Sequence, residues 1–251
     1  MKIILSAAAG LLAFAASAAL ADGPVANRAS KDAPVYTSPQ SWTGFHVAGG
    51  FGYGLWAAET TTVSAVSGAC ILCVDQTQGG KGALGVVGIG YDIQLQQRIV
   101  LGVFADASFA NMAGTIQDQT PFFAGTIKED RMYAVGVRVG LLINPSILTY
   151  GTAGYANAHF TGANMATTFN GAPTAFSTPD FSRGGWFIGS GVETVLWPGW
   201  LWRSEYRFAD YGTITLPDTT PAGVAGNSIR FQPVDHTVRS ELVYKFNWAG
   251  R

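Results

Sequence analysis

Ten ionisable residues stand out because they occupy every second position of segments that are otherwise apolar or small. A period of two places such side chains on one face of a β-strand and the apolar ones on the other. Five are acids and five are bases, and this balance favours a network of internal ion pairs over a selective pore, which needs one sign of charge. The ten are Asp92, Asp106, Arg138, Glu193, Arg203, Glu205, Arg207, Arg239, Glu241 and Lys245.

The other reactive residue types do not form a recognisable catalytic or metal site. Cys70 and Cys73 are the only cysteines, and no histidine lies near them, so a small disulfide is favoured over zinc or redox chemistry. The histidines, His46, His159 and His236, fall on three different segments without ligand spacing. We therefore expect a protein that is not an enzyme and that binds no metal and no cofactor.

Eight segments carry the two-residue period, and each exceeds the roughly 9 to 11 residues that a tilted strand needs to cross a bilayer. Short turns alternate with long polar connections, which is typical of an antiparallel up-and-down transmembrane β-barrel with periplasmic turns and extracellular loops. The predicted strands cover residues 43–57, 82–95, 99–111, 131–143, 147–160, 184–196, 200–211 and 231–248. The predicted long loops cover residues 58–81, 112–130, 161–183 and 212–230.

Composition and targeting agree with an all-β membrane protein. Hydrophobic residues make up 48% of the chain and charged residues 12%. Beyond residue 21, the nearest candidate for a membrane-spanning helix is 139–158, which is uncharged but is interrupted by Asn144-Pro145 and three glycines. Residues 1–21 have the form of a cleaved signal peptide, 22–41 a flexible periplasmic lead-in, and 42–251 the barrel domain. A formal net charge of −1 leaves no basic surplus for nucleic acid.

The apolar phase of each strand is predicted to face lipid. The fifth strand is ambiguous, because Leu148, Tyr150 and Phe160 lie on one phase and Tyr155 on the other; we favour the first set as outward. Aromatic residues at strand ends predict two interfacial girdles. The inner girdle would contain Trp42, Phe45, Trp197, Trp200, Trp202, Phe246 and Trp248, and the outer Trp56, Phe109, Tyr133, Phe160, Trp186, Phe208 and Tyr211.

One internal contact follows from the phase of two strands. Leu196 and Trp200 are both predicted to face outward, so the turn between them holds an odd number of residues, and a three-residue turn places Glu193 opposite Arg203. Eight strands enclose an interior only about wide enough for side chains. We therefore predict a plugged lumen.

Several motifs carry a resemblance to a known family. They are the opening Ser41-Trp42-Thr43-Gly44-Phe45, the lead-in Lys31 to Tyr36, the hairpin motifs Gly191-Val192-Glu193, Trp197-Pro198-Gly199-Trp200 and Glu205-Tyr206, and the closing His236-Thr237-Val238-Arg239 with Tyr244-Lys245-Phe246. In these the chain resembles the porin-family outer-membrane β-barrels of alphaproteobacteria, also called outer-membrane immunogenic proteins. The matches cover both ends and the sixth to eighth strands.

The resemblance implies a Gram-negative envelope component and surface antigen in the cell outer membrane, with outer loops for contact or ligand binding. Expected partners are outer-membrane lipid and lipopolysaccharide, the barrel assembly machinery, and haem or a host surface ligand. The assembly signal would lie in Tyr244, Phe246 and Trp248, although five residues follow Phe246 where the family usually ends on phenylalanine.

Three other functions are compatible with a β-barrel. A small-solute channel predicts unpaired lumen charges. A lipid-modifying enzyme needs a nucleophile, for which Ser190 is the one candidate, and a base that the sequence does not identify. A soluble lipocalin-like barrel is disfavoured, since it would need an apolar inward face.

Overall fold

The computed structural model describes residues 41–71, 73, 75–118, 123–167, 176–220 and 222–246. These residues form eleven β-strands. Among the described residues, no helix has the length and hydropathy needed to span a membrane. The strands are β1 (Gly44–Val63), β2 (Gln76–Leu95), β3 (Ile99–Asp118), β4 (Phe123–Asn144), β5 (Ile147–Thr161), β6 (Asn164–Thr167), β7 (Phe176–Ser177), β8 (Phe181–Trp197), β9 (Trp200–Asp210), β10 (Ile214–Thr219) and β11 (Ala225–Phe246).

Eight of the strands close a barrel. The order around the ring is β1-β2-β3-β4-β5-β8-β9-β11, every neighbouring pair is antiparallel, and β11 pairs with β1 from Phe45↔Phe246 to Val63↔Ser228. Closure removes the sheet edges that lipid cannot satisfy. The predicted fold class, an eight-stranded antiparallel barrel, is confirmed.

The predicted long loops are wrong in extent, because much of each is strand. β1 to β4 and β11 have 20 to 22 residues each, about twice what the bilayer requires. At the end away from the short turns, β6, β7 and β10 bridge from β4 to β11 and close a second ring above the ends of β5, β8 and β9. Buried apolar residues such as Ile116, Ile127 and Ile229 give these extensions a core of their own.

The lipid-facing side of β5 is the opposite of the one we favoured. Tyr155 is 54% exposed, whereas Leu148 and Phe160 are fully buried and Tyr150 is 4% exposed. The preference was wrong because it assigned the larger apolar side chains to lipid. In β5 the larger ones fill the lumen, and small residues such as Gly151 and Ala153 share the outer face with Tyr155.

Four aromatic residues assigned to the girdles point inward. Trp42, Trp56 and Tyr211 are at most 2% exposed, like Phe160. Trp56 illustrates the reason: it alternates with the exposed Leu55, and its indole occupies space that a side chain at Gly80 would fill. A position near a strand end therefore does not determine which face an aromatic ring takes.

The turn between β8 and β9 is tighter than predicted. It contains only Pro198 and Gly199, and Gly199 has a φ of +80°. Just before the turn, the pairing of β8 with β9 has a register shift between Val195 and Trp197. This bulge adds one residue to β8 and compensates for the shorter turn, so the inward faces of the two strands stay aligned and Glu193 still pairs with Arg203.

Candidate functional site: the barrel lumen

The structure places all ten ionisable residues inside the barrel. The side chains of eight are no more than 6% exposed, and those of Asp106 and Arg203 are 9% exposed. Neighbouring strands carry oppositely charged residues at directly opposite register positions, so these side chains meet inside the lumen. Examples are Glu193↔Arg203, Arg203↔Glu241 and Arg239↔Glu205.

The part of the network nearer the short turns is organised around Asp92 and Glu193. Asp92 accepts hydrogen bonds from Arg138 Nε at 2.7 Å and from Lys245 Nζ at 2.6 Å. Arg138 also donates through Nη1 to Glu193 Oε1 at 2.5 Å. Glu193 in turn accepts from Arg203 Nε at 2.7 Å, so two guanidinium groups share one carboxylate.

Four of the ten residues, Asp106, Glu205, Arg207 and Arg239, form a second group. Asp106 accepts from Arg207 Nη2 at 2.8 Å and from Arg239 Nη1 at 3.0 Å. Arg207 also donates to Glu205 Oε1 at 2.8 Å and lies 4.3 Å above the Phe187 ring. Glu241, which accepts from Arg203 Nη1 at 3.1 Å, belongs to the first group.

Little space remains between these side chains. The cavity lined by Asp106, Arg138 and Glu241 has a volume of about 10 Å³, and so does another beside Asp235 and Thr237. Each could hold about one water molecule. The network therefore fills the barrel cross-section at mid-height.

An apolar floor closes the lumen toward the short turns. The Trp42 side chain is buried there, its indole Nε1 donating to the Pro145 carbonyl at 3.3 Å. Lys245 joins floor and network, because its Nζ lies 5.1 Å from the Trp42 ring and donates to the Trp42 carbonyl at 3.0 Å. The floor consists of Trp42, Val100, Leu142, Leu148, Tyr150, Leu201 and Val243.

An apolar roof lies on the other side of the network. Its centre is a cluster of four rings, Trp56, Phe160, Phe181 and Phe231, with centroid separations of 5.1 to 6.0 Å. The Trp56 indole Nε1 donates to the Met112 carbonyl at 3.0 Å. The ten-residue charge network therefore lies in the middle of the inward face, and most of the buried side chains above and below it are apolar.

The roof also contains two buried acids, Glu129 and Asp235. The Tyr211 hydroxyl donates to Asp235 Oδ2 at 2.9 Å. Glu129 lies two residues above the exposed Arg131, beyond the apolar outer band of β4. Burial, together with the neighbouring Asp235 and Asp130 carboxyls, raises the pKa of Glu129 well above the usual range. The folded environment therefore favours the protonated form of the Glu129 carboxyl.

Sequence reasoning missed several lumen groups. His46 was considered only as a metal ligand, yet it lies 3.3 Å from both Asp92 and Arg203. Its inward phase on β1 was the available signal. Tyr150, assigned to lipid, donates its hydroxyl to Glu205 Oε2 at 3.1 Å.

The other predicted site residues lie outside the lumen. Cys70 and Cys73 are joined by a disulfide in the connection between β1 and β2. Tyr244 and Phe246 contact each other with ring centroids 4.8 Å apart, while Trp248 lies outside the described residues. Ser190 is on the lipid-facing phase, with Tyr206 and Gly151 as strand partners. Within the described ranges, no group of three metal-ligating side chains forms.

A family model described as the outer membrane protein beta-barrel domain matches residues 6–246. The chain belongs to this outer-membrane β-barrel family. It is 31% identical to the 31 kDa outer-membrane immunogenic protein of Brucella melitensis, over 98% of this chain and 99% of the relative. It is 29% identical to the 25 kDa outer-membrane immunogenic protein of Brucella abortus, again over 98% and 99%.

Among solved structures, the outer membrane protein OprG from Pseudomonas aeruginosa has the same fold. The TM-score is 0.52 at 12% sequence identity, covering 82% of this chain and 98% of OprG. The relatives place this family member in the cell outer membrane as an envelope surface protein, and the main relatives are immunogenic proteins rather than enzymes.

Proposed function

We propose that the chain is a closed, non-enzymatic barrel that serves as a structural component of the outer membrane and as a surface antigen. The observation that carries this proposal is the filled lumen. Apolar floor, ion-pair network and apolar roof follow one another along the axis, and the mid-height cavities have volumes of about 10 Å³. A permeant solute would have to break several buried charge-assisted hydrogen bonds.

The protruding part of the barrel supports the antigen role. About ten residues of each long strand exceed the span of the bilayer, which at about 3.3 Å per residue and a tilt near 45° gives a projection on the order of 20 Å. Polar side chains such as Glu59, Gln232 and Arg230 face outward on this projection. Such a surface is available for antibodies or host molecules, and relatives of the chain carry the name immunogenic protein.

The alternative function is a small-solute channel, and single-channel recording separates the two. Full-length protein refolded in detergent would be inserted into planar bilayers, as wild type and as Glu193→Ala. We expect no conductance steps from the wild type and a loss of thermal stability in the variant. Ion-selective steps in the wild type that shift with Glu193→Ala would refute the closed barrel and favour the channel.

Surface display requires a separate test. A short epitope tag placed at Ala222-Gly223, in the outer turn before β11, should bind antibody on intact cells. The matched control carries the same tag at Gln96-Gln97, in the short turn between β2 and β3, and should bind only after permeabilisation. Equal labelling of both tags on intact cells would contradict the orientation.

A further inference from the structure

Three cations lie together on the outer surface, where the lipid-facing band of β2 to β4 ends. On β4 the exposed apolar series ends at Tyr133, and the next outward residue is Arg131, whose side chain is 45% exposed. Further from the short turns, the outward face of β4 carries Lys128. On β2 the outward face carries the exposed Lys81, beyond Gly85 and Ala83. These groups therefore sit at the level where hydrocarbon gives way to lipid headgroups.

The strand register brings the two lysines to either side of a small residue. Lys81 pairs with Ala113 of β3, and Ala113 pairs with Lys128 of β4. Two strand spacings of about 4.8 Å put the lysine Cα atoms about 10 Å apart. Because the exposed side chain between them is only a methyl group, both ammonium groups can reach one anion above Ala113.

Arg131 is held at the lower edge of this surface. Its Nη2 lies 3.3 Å from His159 Nδ1, and its Nε lies 3.4 Å from Asp130 Oδ1. Asp130 is also 2.6 Å from His159 Nδ1. The patch thus contains three cations against one carboxylate, and within the described ranges no ion pair joins Lys81 or Lys128 to an acid.

The cationic cluster has no counterpart on β9. On β9 the outward residue at the end of the band is Asp210, which pairs with Trp186 and Val234. Below the cationic patch lie the exposed rings of Phe109 and Tyr133, which can contact acyl chains. This combination of a basic cluster above and aromatic rings below fits an anionic amphiphile rather than a soluble anion.

We propose that Lys81, Lys128 and Arg131 bind the phosphorylated headgroup of a lipid in the outer leaflet. The two ammonium groups and the guanidinium would hold one phosphate by charge-assisted hydrogen bonds, and the lipid chains would lie along Phe109 and Tyr133. This inference goes beyond the closed-barrel function, since it concerns the outer wall and holds whether or not the lumen conducts.

The test measures lipid retention by the refolded full-length protein in detergent, using native mass spectrometry. The probes are bisphosphorylated lipid A and the same lipid after enzymatic removal of its phosphates. The triple variant Lys81→Gln/Lys128→Gln/Arg131→Gln should retain the phosphorylated lipid at least tenfold less well than wild type. The matched control, Arg98→Gln/Arg230→Gln, also removes exposed cations and should leave retention unchanged.

Folding is monitored by the heat-dependent gel shift of each variant, and the single variants Lys81→Gln and Lys128→Gln should each weaken retention severalfold. Equal retention by wild type and triple variant would overturn the site, as would equal retention of the dephosphorylated lipid. Complete displacement by millimolar inorganic phosphate would also overturn it, because a free-phosphate site would not need the rings below.

Discussion

Removing the Glu193 carboxylate should destabilise the barrel more than any change to an exposed acid. Glu193 is fully buried and accepts hydrogen bonds from Arg138 and Arg203. Breaking a buried ion pair costs about 3–5 kcal/mol, because the remaining charge stays buried without its partner. Arg138 keeps Asp92 and Arg203 keeps Glu241, so we expect a loss near the lower limit, about 3 kcal/mol, for Glu193→Ala.

The assay is equilibrium unfolding of the refolded barrel in urea, followed by tryptophan fluorescence and by the heat-dependent gel shift. Glu59→Ala is the matched control, since Glu59 is exposed on the outer part of β1 and surface substitutions change stability by at most about 0.5 kcal/mol. Glu193→Gln should lose less than Glu193→Ala, because it retains the volume and one acceptor. A loss below about 0.5 kcal/mol for Glu193→Ala, equal to that of the control, would show that lumen water solvates the arginines and would refute the dry network.

Three further substitutions test the roof, the floor and the outer wall. Glu129→Gln should raise the urea midpoint by more at pH 8 than at pH 5. The pKa of Glu129 is raised in the folded state, so the unfolded state releases this proton first, from about pH 4.3 upward, and wild-type stability falls as pH rises. Equal effects at both pH values would contradict this. Trp42→Ala should lower the free energy of unfolding by about 3–5 kcal/mol, because it opens a cavity in the floor. Trp197 is 59% exposed, so Trp197→Ala should lower it much less. Similar losses for the two variants would exclude a packed floor. Ala153→Arg should cost about 2–4 kcal/mol because Ala153 faces lipid, whereas Thr126→Arg, above the band, should leave the midpoint unchanged. An unchanged midpoint for Ala153→Arg as well would contradict the lipid-facing position of Ala153.

The sequence predicts the ring well because two-residue periodicity is a local property. Charges at alternate positions determine the inward phase of β9 and β11 without reference to any other strand. The parity argument for Glu193 and Arg203 succeeded although the turn is shorter than assumed, because the bulge near Leu196 restored the phase. Register between neighbouring strands therefore follows from which face each strand buries.

The inner and outer faces of apolar residues could not be assigned in the same way. An apolar side chain is equally compatible with lipid and with a packed plug, so Leu148 and Phe160 of β5 carry no information about direction by themselves. The outer strand extensions were missed for a related reason: residues such as Ile116 and Ile229 occur singly among polar neighbours, and only the second ring through β6, β7 and β10 gives them a common core.

The apolar floor should strengthen the ion pairs above it, and this makes a final prediction. Excluding water lowers the local dielectric constant and raises the strength of each charge pair. Lys245 connects the two layers directly, since its Nζ donates to the Trp42 carbonyl at 3.0 Å and to Asp92 at 2.6 Å. If Trp42→Ala admits water, Glu193→Ala should cost less in that background, giving a coupling energy of about 1 kcal/mol or more in a double-mutant cycle. Additive losses, within about 0.5 kcal/mol, would mean that floor and network stabilise the barrel independently.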